Sequence, residues 1–89
     1  MKVIYKAVVP IADQFSLMLP KDTDFLRFDN QANICCLWYL VDPQDKSSEE
    51  YRFHIVGTGH PTVDEDWVYI GTAVVSGVGG NFVWHLFIE

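Results

Sequence analysis

Short apolar stretches separated by turn-forming residues run along the whole chain, and apolar residues do not recur at helical spacing. Residues 14–19 and 51–56 alternate in side-chain character, which is the two-residue period of a strand whose faces meet different surroundings. Glycine, proline, asparagine and aspartate separate the stretches at intervals of roughly 8–12 residues. The pattern favours an all-β fold and excludes a helical bundle.

One domain is expected over residues 1–89, because a chain of this length is too short for two independent cores. About seven mainly antiparallel strands are predicted, at residues 2–9, 14–19, 24–29, 34–41, 51–56, 67–75 and 82–88. Such strands form either a compact antiparallel β-sandwich or an open β-barrel. The predicted core is built from large side chains on these strands: Phe15, Leu17, Trp38, Leu40, Phe53, Ile55, Ile70 and Trp84.

Three predicted strands, at residues 34–41, 67–75 and 82–88, are apolar on both faces. By simple alternation, Tyr69 in the second of them shares a face with the side chains that follow, Ala73 and Val75. A sandwich buries one face of each strand, so the second apolar faces need a cover. A homodimer is the expected cover, and the alternative is a contact with a different protein.

The formal net charge of −6 weighs against direct binding to nucleic-acid phosphates, which requires a surplus of lysine and arginine. An acidic surface suits a basic protein partner, although it also keeps small proteins dispersed. The longest apolar run, residues 34–41, is far too short for a membrane span, and no signal peptide is evident at the start. We therefore expect a cytoplasmic protein with no membrane partner.

Neighbouring Cys35 and Cys36 point to opposite faces of a strand, so they are poorly placed to form a disulfide with each other. In so apolar a stretch, cysteine usually packs as a small hydrophobic residue rather than reacting as a nucleophile. His54 and His85 are expected to be half-exposed on strands, and with His60 they do not supply the converging ligands of a metal site. The sequence predicts no catalytic residue, no metal and no cofactor, hence a protein that is not an enzyme.

The most unusual local sequence begins at Gly57 and leads into consecutive acidic residues. Its two glycines permit positive φ angles, which suit either a strand exit or a nest of amide groups that holds an anion. The lysine and helix of a phosphate-binding P-loop are missing. The acidic residues form either a solvated rim or a patch for a basic partner. The predicted partner-binding residues are Gly57, Thr58, Gly59, His60, Asp64, Glu65, Asp66 and Trp67.

Distinctive blocks of sequence span nearly the whole chain: Ile4-Tyr5-Lys6, Leu19-Pro20, Cys36-Leu37-Trp38, Leu40-Val41-Asp42-Pro43, Phe53, Gly57-Thr58-Gly59-His60-Pro61, Tyr69-Ile70-Gly71-Thr72 and Phe82-Val83-Trp84-His85-Leu86-Phe87. In these blocks the chain resembles a family of small bacteriophage and prophage proteins of unknown function. The Gly-Thr-Gly-His-Pro block and the Val-Trp-His block are the most specific. The resemblance supplies no catalytic residues.

The resemblance implies a setting in which a small accessory protein acts by binding one protein of the bacterial host. Such proteins are often inhibitors of host defence systems, including anti-CRISPR proteins. The leading expectation is therefore a non-enzymatic, protein-binding inhibitor in the host cytoplasm. The alternatives are a structural or assembly protein of the phage particle, which would self-associate, and a nucleotide-binding sponge that uses the glycine turn.

Overall fold

The computed structural model describes residues 1–60, 64 and 66–89, and these residues form seven strands and no helix. The strands are β1 (Val3–Val8), β2 (Gln14–Leu19), β3 (Asp24–Gln31), β4 (Ile34–Val41), β5 (Glu49–Gly57), β6 (Val68–Gly77) and β7 (Gly80–Ile88). They form two antiparallel sheets, ordered β1-β4-β3 and β2-β5-β7-β6. The sheets pack as a sandwich and do not close into a barrel, so the all-β prediction is confirmed. None of the described residues forms a helix that could span a membrane.

Two tight hairpins make the connections shorter than the sequence predicted. The β3–β4 hairpin closes at the pair Gln31–Ile34, and the residues between them, Ala32 and Asn33, have φ angles of 53° and 62°. The β6–β7 hairpin closes at the pair Gly77–Gly80, with Gly79 at a φ of 88°. Positive φ angles at both Ala32 and Asn33 match the twist of the flanking strands, so pairing continues into that turn. The other strand ends lie within two residues of the predicted ones.

The core lies between the two sheets and centres on Leu37, Phe53 and Leu86, which have no exposed surface. Burying side chains of this size contributes roughly 1.5–3 kcal/mol each. The buried cluster is Val9, Phe28, Cys35, Leu37, Phe53, Ile55, Ala73 and Leu86. Four predicted core residues pack against it while keeping some exposure: Phe15, Leu17, Ile70 and Trp84.

The prediction that Trp38 and Leu40 belong to the core is wrong. Strand β4 is apolar on both faces, so its pattern does not indicate which face is buried. In the structure Cys35 and Leu37 face the core, and by alternation Trp38 and Leu40 lie on the outer face of the three-stranded sheet. Which face is buried depends on the second sheet, because only tertiary packing distinguishes two apolar faces.

Simple alternation also fails in β6, because a β-bulge lies between Tyr69 and Gly71. Tyr69 pairs with Phe87 on the outer face of the four-stranded sheet, whereas Ala73 pairs with Trp84 on the inner face. An extra residue in one strand reverses the direction of every later side chain relative to the earlier ones. The prediction that Tyr69 shares a face with Ala73 is therefore wrong.

The edge strands β3 and β6 join the two sheets along one side of the sandwich. At Gly71 a Cβ atom would lie 3.2 Å from both the Cβ atom and the carbonyl oxygen of Phe28, so the backbones approach closely. Asn33 donates from Nδ2 to the Ser76 carbonyl oxygen (3.0 Å) and accepts from the Ser76 N–H (2.7 Å). Asn30 donates from Nδ2 to the Val74 carbonyl oxygen (2.7 Å). β6 is an edge strand, so the backbone groups on its outer side have no neighbouring strand to pair with. The two side-chain amides supply hydrogen bonds to these groups instead. We call this contact the β3–β6 seam.

The seam predicts a specific cost for replacing Asn33 with glycine. Glycine accepts the positive φ of the turn but cannot make the two hydrogen bonds to Ser76. We expect Asn33→Gly to lower the free energy of unfolding by about 1–2 kcal/mol, measured by urea denaturation. Ala32→Gly is the control, because it relaxes the neighbouring left-handed position without touching the seam. An Asn33→Gly variant as stable as Ala32→Gly would show that the two bonds contribute nothing.

Candidate functional site

The outer face of the four-stranded sheet carries a group of aromatic and imidazole side chains, which we call the aromatic face. Its members are His54, Trp67, Tyr69, His85 and Phe87. Strand pairing brings them together, since His54 and Tyr69 both lie opposite Phe87. The Tyr69 and Phe87 rings meet edge to face, with centroids 5.6 Å apart. Aromatic pairs of this kind stabilise the sheet and hold the face rigid.

The centre of the aromatic face is a stack of Trp67 on His54. The two rings are nearly parallel, at 6°, and their centroids are 3.7 Å apart. His54 is only 9% exposed, and its Nε2 lies 2.8 Å from a carboxylate oxygen of Glu89. An ionised carboxylate only accepts, so His54 Nε2 carries the hydrogen. The expectation of a half-exposed His54 is wrong, because Trp67 covers it.

His85 lies within a chain of hydroxyl groups on the same face. Its Nδ1 is 2.9 Å from Thr72 Oγ1, and its Nε2 is 2.7 Å from Thr58 Oγ1. Tyr69 extends the chain through its hydroxyl group, which bonds to Thr72 Oγ1. Because a hydroxyl group can both donate and accept, either tautomer of the imidazole satisfies both bonds. These hydrogen bonds orient the Tyr69 and His85 rings and connect β6, β7 and the turn that follows β5.

The Gly57–His60 turn has a structural role that the sequence did not reveal. A Cβ atom at Gly57 would lie 2.9 Å from Nδ1 of His60 and 3.3 Å from the Trp84 ring, so glycine makes room for both. Gly59 adopts a φ of 86° at the tip of the turn. The His60 N–H donates to the Gly57 carbonyl oxygen, and the Thr58 N–H donates to the Val83 carbonyl oxygen. These two amides are engaged within the protein, so they do not form an open nest for an anion.

The predicted partner-binding residues are divided between two places. Trp67 belongs to the aromatic face and Thr58 bonds to His85 on it, whereas Gly57 packs beside Trp84 and His60 lies between Gly57 and the Trp67–His54 stack. Asp64 and Asp66 are exposed, with the Asp64 carboxylate accepting the Asp66 N–H at 2.9 Å. The Asp64 carbonyl oxygen also accepts the backbone N–H of Trp67 at 3.0 Å, which places the acidic residues beside the stacked tryptophan. Glu65 lies outside the described residues.

A cavity of about 270 Å³ lies beside the Trp67–His54 stack. His60 and the exposed residue Asp13 line it together with the two stacked rings. A carboxylate beside aromatic rings can bind a lysine or arginine side chain through a charge-assisted hydrogen bond and a cation–π contact. The cavity therefore adds a recess to the aromatic face, on the side where the chain carries acidic groups.

The sequence did not identify most of the aromatic face. His54 and His85 were noted as strand residues, but Tyr69, Phe87 and Glu89 gave no signal that set them apart. The bulge reverses the direction of Tyr69, and the pairing of β5 with β7 joins residues far apart in the chain. Alternation along β5 places His54 on the polar face of that strand, and this is the one indication that the sequence gives.

Among the described residues no group of three or more histidine, cysteine, aspartate or glutamate side chains is placed to hold a metal ion. Cys35 and Cys36 are both buried and unpaired, and Cys35 faces the core while Cys36 lies on the opposite side of β4. Burial is the main reason that the pKa of the Cys35 thiol is raised, with a smaller contribution from Cys36. A raised pKa suppresses the reactive thiolate form.

The burial of both thiols predicts that the folded protein resists thiol reagents. We expect reaction with 5,5′-dithiobis-(2-nitrobenzoate) at neutral pH to require opening of the sandwich, and both thiols to react at once in denaturant. The measurement is the absorbance of released thiolate with time, with and without urea. Fast reaction of one thiol in the folded protein would show that β4 is accessible on one face.

The comparison with known protein families gives one match that covers residues 1–89. No curated protein and no solved structure matches the sequence significantly. Because the family match extends over the whole chain, the two sheets and the aromatic face all lie within the matched region. The chain belongs to the family described as Domain of unknown function (DUF7352).

Proposed function

We propose that the protein is a non-enzymatic binding domain whose aromatic face contacts a basic surface of another protein. The observation that carries the proposal is the stack of Trp67 on His54, held from the side by Glu89. Tryptophan and tyrosine on a rigid surface are typical of the residues that dominate binding energy at protein interfaces. The phage resemblance supplies the setting, namely a host protein in the bacterial cytoplasm and inhibition of a host defence system such as CRISPR.

The aromatic face is ordered before any partner arrives. Both ring nitrogens of His85 are bonded, the Trp67 ring is stacked on His54, and the Trp67 backbone N–H donates to the Asp64 carbonyl oxygen. Side chains that are already immobilised lose less conformational entropy on binding. Tyr69 is 55% exposed and Trp67 is partly exposed, so both retain surface for a partner to cover. The arrangement suits protein recognition.

The charge around the aromatic face determines the kind of partner. Exposed carboxylates at Asp13, Asp64 and Asp66 flank it, and the Glu89 carboxylate accepts a hydrogen bond from His54. The whole chain has a net charge of −6, so a basic surface is attracted and an acidic one repelled. A lysine or arginine side chain of the partner fits the cavity beside Asp13. Opposite charges also speed association at low salt.

The alternative roles receive less support from the geometry. A nucleotide-binding sponge would need free amide N–H groups at the glycine turn, and those of Thr58 and His60 are engaged. A structural protein of the phage particle would need contacts between copies, and at the aromatic face the acidic groups of two copies repel each other. For these reasons the proposal places the partner, and not a ligand or a second copy, on the aromatic face.

The proposal predicts that changes on the aromatic face weaken capture of a bacterial partner. The tagged protein is expressed in the bacterial host, the co-purifying protein is identified by mass spectrometry, and its affinity is then measured with purified components. We expect Trp67→Ala to raise Kd by about thirtyfold or more, because truncating a dominant interface residue has an effect of this size. We expect the double variant Asp13→Asn, Asp66→Asn to raise Kd by about tenfold at low salt and by less at high salt.

The matched control is Asp22→Asn with Asp45→Asn. These two residues lie in the β2–β3 and β4–β5 connections, at the end of the sandwich opposite Gly57, and the change in charge is the same. Circular dichroism confirms that each variant is folded. Unchanged affinity in both the Trp67 variant and the Asp13–Asp66 variant would refute binding through the aromatic face.

A further inference from the structure

Four strands form the edges of the two sheets, and three of these edges carry features that hinder pairing with another chain. β3 and β6 each contain a β-bulge and are bonded to each other through the β3–β6 seam. β1 carries the charged residue Lys6. Bulges, covering contacts and lysines all protect edge strands. β2 has no charged residue and no proline, and no bulge interrupts its pairing with β5. Among the described strands, β2 is therefore the unprotected edge.

The backbone groups on the free side of β2 belong to alternate residues. The Ile55 N–H donates to the Asp13 carbonyl oxygen at 3.1 Å, and this pair continues the β2–β5 register. In an antiparallel ladder the residues of alternate pairs bond towards the partner strand, and those between them direct their N–H and C=O groups away from it. No other described strand pairs with this side of β2. The outward residues, all three exposed, are Gln14, Ser16 and Met18.

We propose that the free edge of β2 pairs with the same edge of a second copy, joining the two four-stranded sheets into one. A twofold axis at Ser16 sets the two Ser16 residues opposite each other and Gln14 opposite Met18. This register uses every outward residue, so three residue pairs each exchange two backbone hydrogen bonds. Moving the register by two residues would pair an outward residue with Pro20 or Ala12, which lie beyond the strand. The register centred on Ser16 is therefore the one that the hydrogen bonds favour.

The side chains that this register brings together are compatible on both faces. On the outer face the two Ser16 hydroxyl groups meet and can bond to each other. On the inner face Phe15 of each copy lies opposite Leu17 of the other. Both side chains pack against the core of their own copy and keep some exposed surface. An aromatic ring beside an aliphatic side chain stabilises an antiparallel pair, and each covers apolar surface that the free edge leaves in water.

The charges near the junction favour a second copy as the occupant of this edge. β2 contributes no carboxylate, so a basic partner gains no ion pair there, in contrast to the aromatic face. The nearest charged side chains on the outer face, Glu50 and Arg52, lie on β5 and bond to each other. Two uncharged strands separate them from their counterparts, a distance of about 14 Å that exceeds the screening length of about 8 Å at physiological salt. Two copies therefore approach at β2 without close repulsion.

The proposed pairing is separate from the aromatic face. Residues that lie opposite each other in an antiparallel pair share a face of the sheet, so the aromatic faces of both copies lie on the same side of the joined sheet and remain uncovered. Gln14 borders the cavity beside Asp13, so variants of Gln14 would affect both surfaces. Ser16 does not line that cavity, and it is therefore the position at which the pairing is tested.

The first test is the mass in solution, measured by light scattering coupled to size exclusion over a range of protein concentrations. We expect the mass to rise from 10.2 kDa towards twice that value, with half of the chains paired at about 10–100 µM, because a single strand pair buries a small interface. Ser16→Pro removes the outward N–H at the axis and leaves the bonds to β5 in place. It is expected to raise the Kd of the dimer by about tenfold or more.

Val8→Pro is the matched control for Ser16→Pro. The Val9 N–H donates to the Cys35 carbonyl oxygen at 2.9 Å and continues the β1–β4 register, so by the same alternation the Val8 N–H points away from β4. The control makes the same change on the edge of the other sheet, and we expect it to leave the dimer intact. Circular dichroism confirms that both variants are folded.

A second pair of variants tests the axis without proline. Ser16→Lys sets two ammonium groups opposite each other, and Ser16→Glu does the same with two carboxylates, so each variant alone is expected to be monomeric at concentrations where the unmodified chain dimerises. An equal mixture of the two is expected to form heterodimers, because the charges at the axis then attract. Restored association in the mixture requires the two positions to be adjacent, which a general loss of stability does not explain.

Amide hydrogen exchange, followed by nuclear magnetic resonance at low and high protein concentration, locates the contact directly. We expect the amides of Gln14, Ser16 and Met18 to exchange more slowly at high concentration, and the amide of Val8 to be unaffected. Protection on β1 in place of β2 would overturn the proposal, as would a monomer at every concentration or a dimer that persists with Ser16→Pro and Ser16→Lys. A monomeric chain whose capture of a bacterial protein is lost with Ser16→Pro would assign the edge to a strand of the partner and would also overturn self-pairing. Trp67→Ala is expected to leave the dimer intact, so failure of this proposal and failure of the proposed function are distinguishable.

Discussion

The close approach of β3 and β6 is the constraint on which the rest of the structure depends. The absent side chain of Gly71 lets the backbone of Phe28 lie against β6, and Asn33 bonds twice to Ser76. Together these contacts hold the two sheets together along one side while the core fills the space between them. The seam also sets which faces point outward, because it fixes how the three-stranded sheet lies on the four-stranded one.

The two outer faces that result are chemically different. One presents stacked rings, bonded imidazoles and acidic borders, and the other presents aliphatic side chains around Trp38 with charges of both signs. Each sheet of the sandwich has one face that lies outside the core, so each outer face is available as an interaction surface. Strands that are apolar on both faces are informative in this chain for that reason.

The histidine side chains on the aromatic face are bonded within the protein. His54 is covered by Trp67 and bonded to Glu89, and His85 is bonded to two hydroxyl groups. No buried side-chain nitrogen or oxygen in the described chain lacks a partner. Satisfied groups of this kind favour rigidity, which supports recognition by a preformed surface.

The sequence by itself determined the strands, their number and the all-β class, because alternation and turn residues are local properties that need no knowledge of the partner strand. It also indicated Trp67 and Thr58 as surface candidates through the unusual Gly57–His60 segment. Only the tertiary structure decided which face of β4 is buried, since both are apolar, and where Tyr69 points, since the bulge reverses it. The aromatic face itself arises from pairing β5 with β7, and pairings between distant segments are set by the packing of the whole chain.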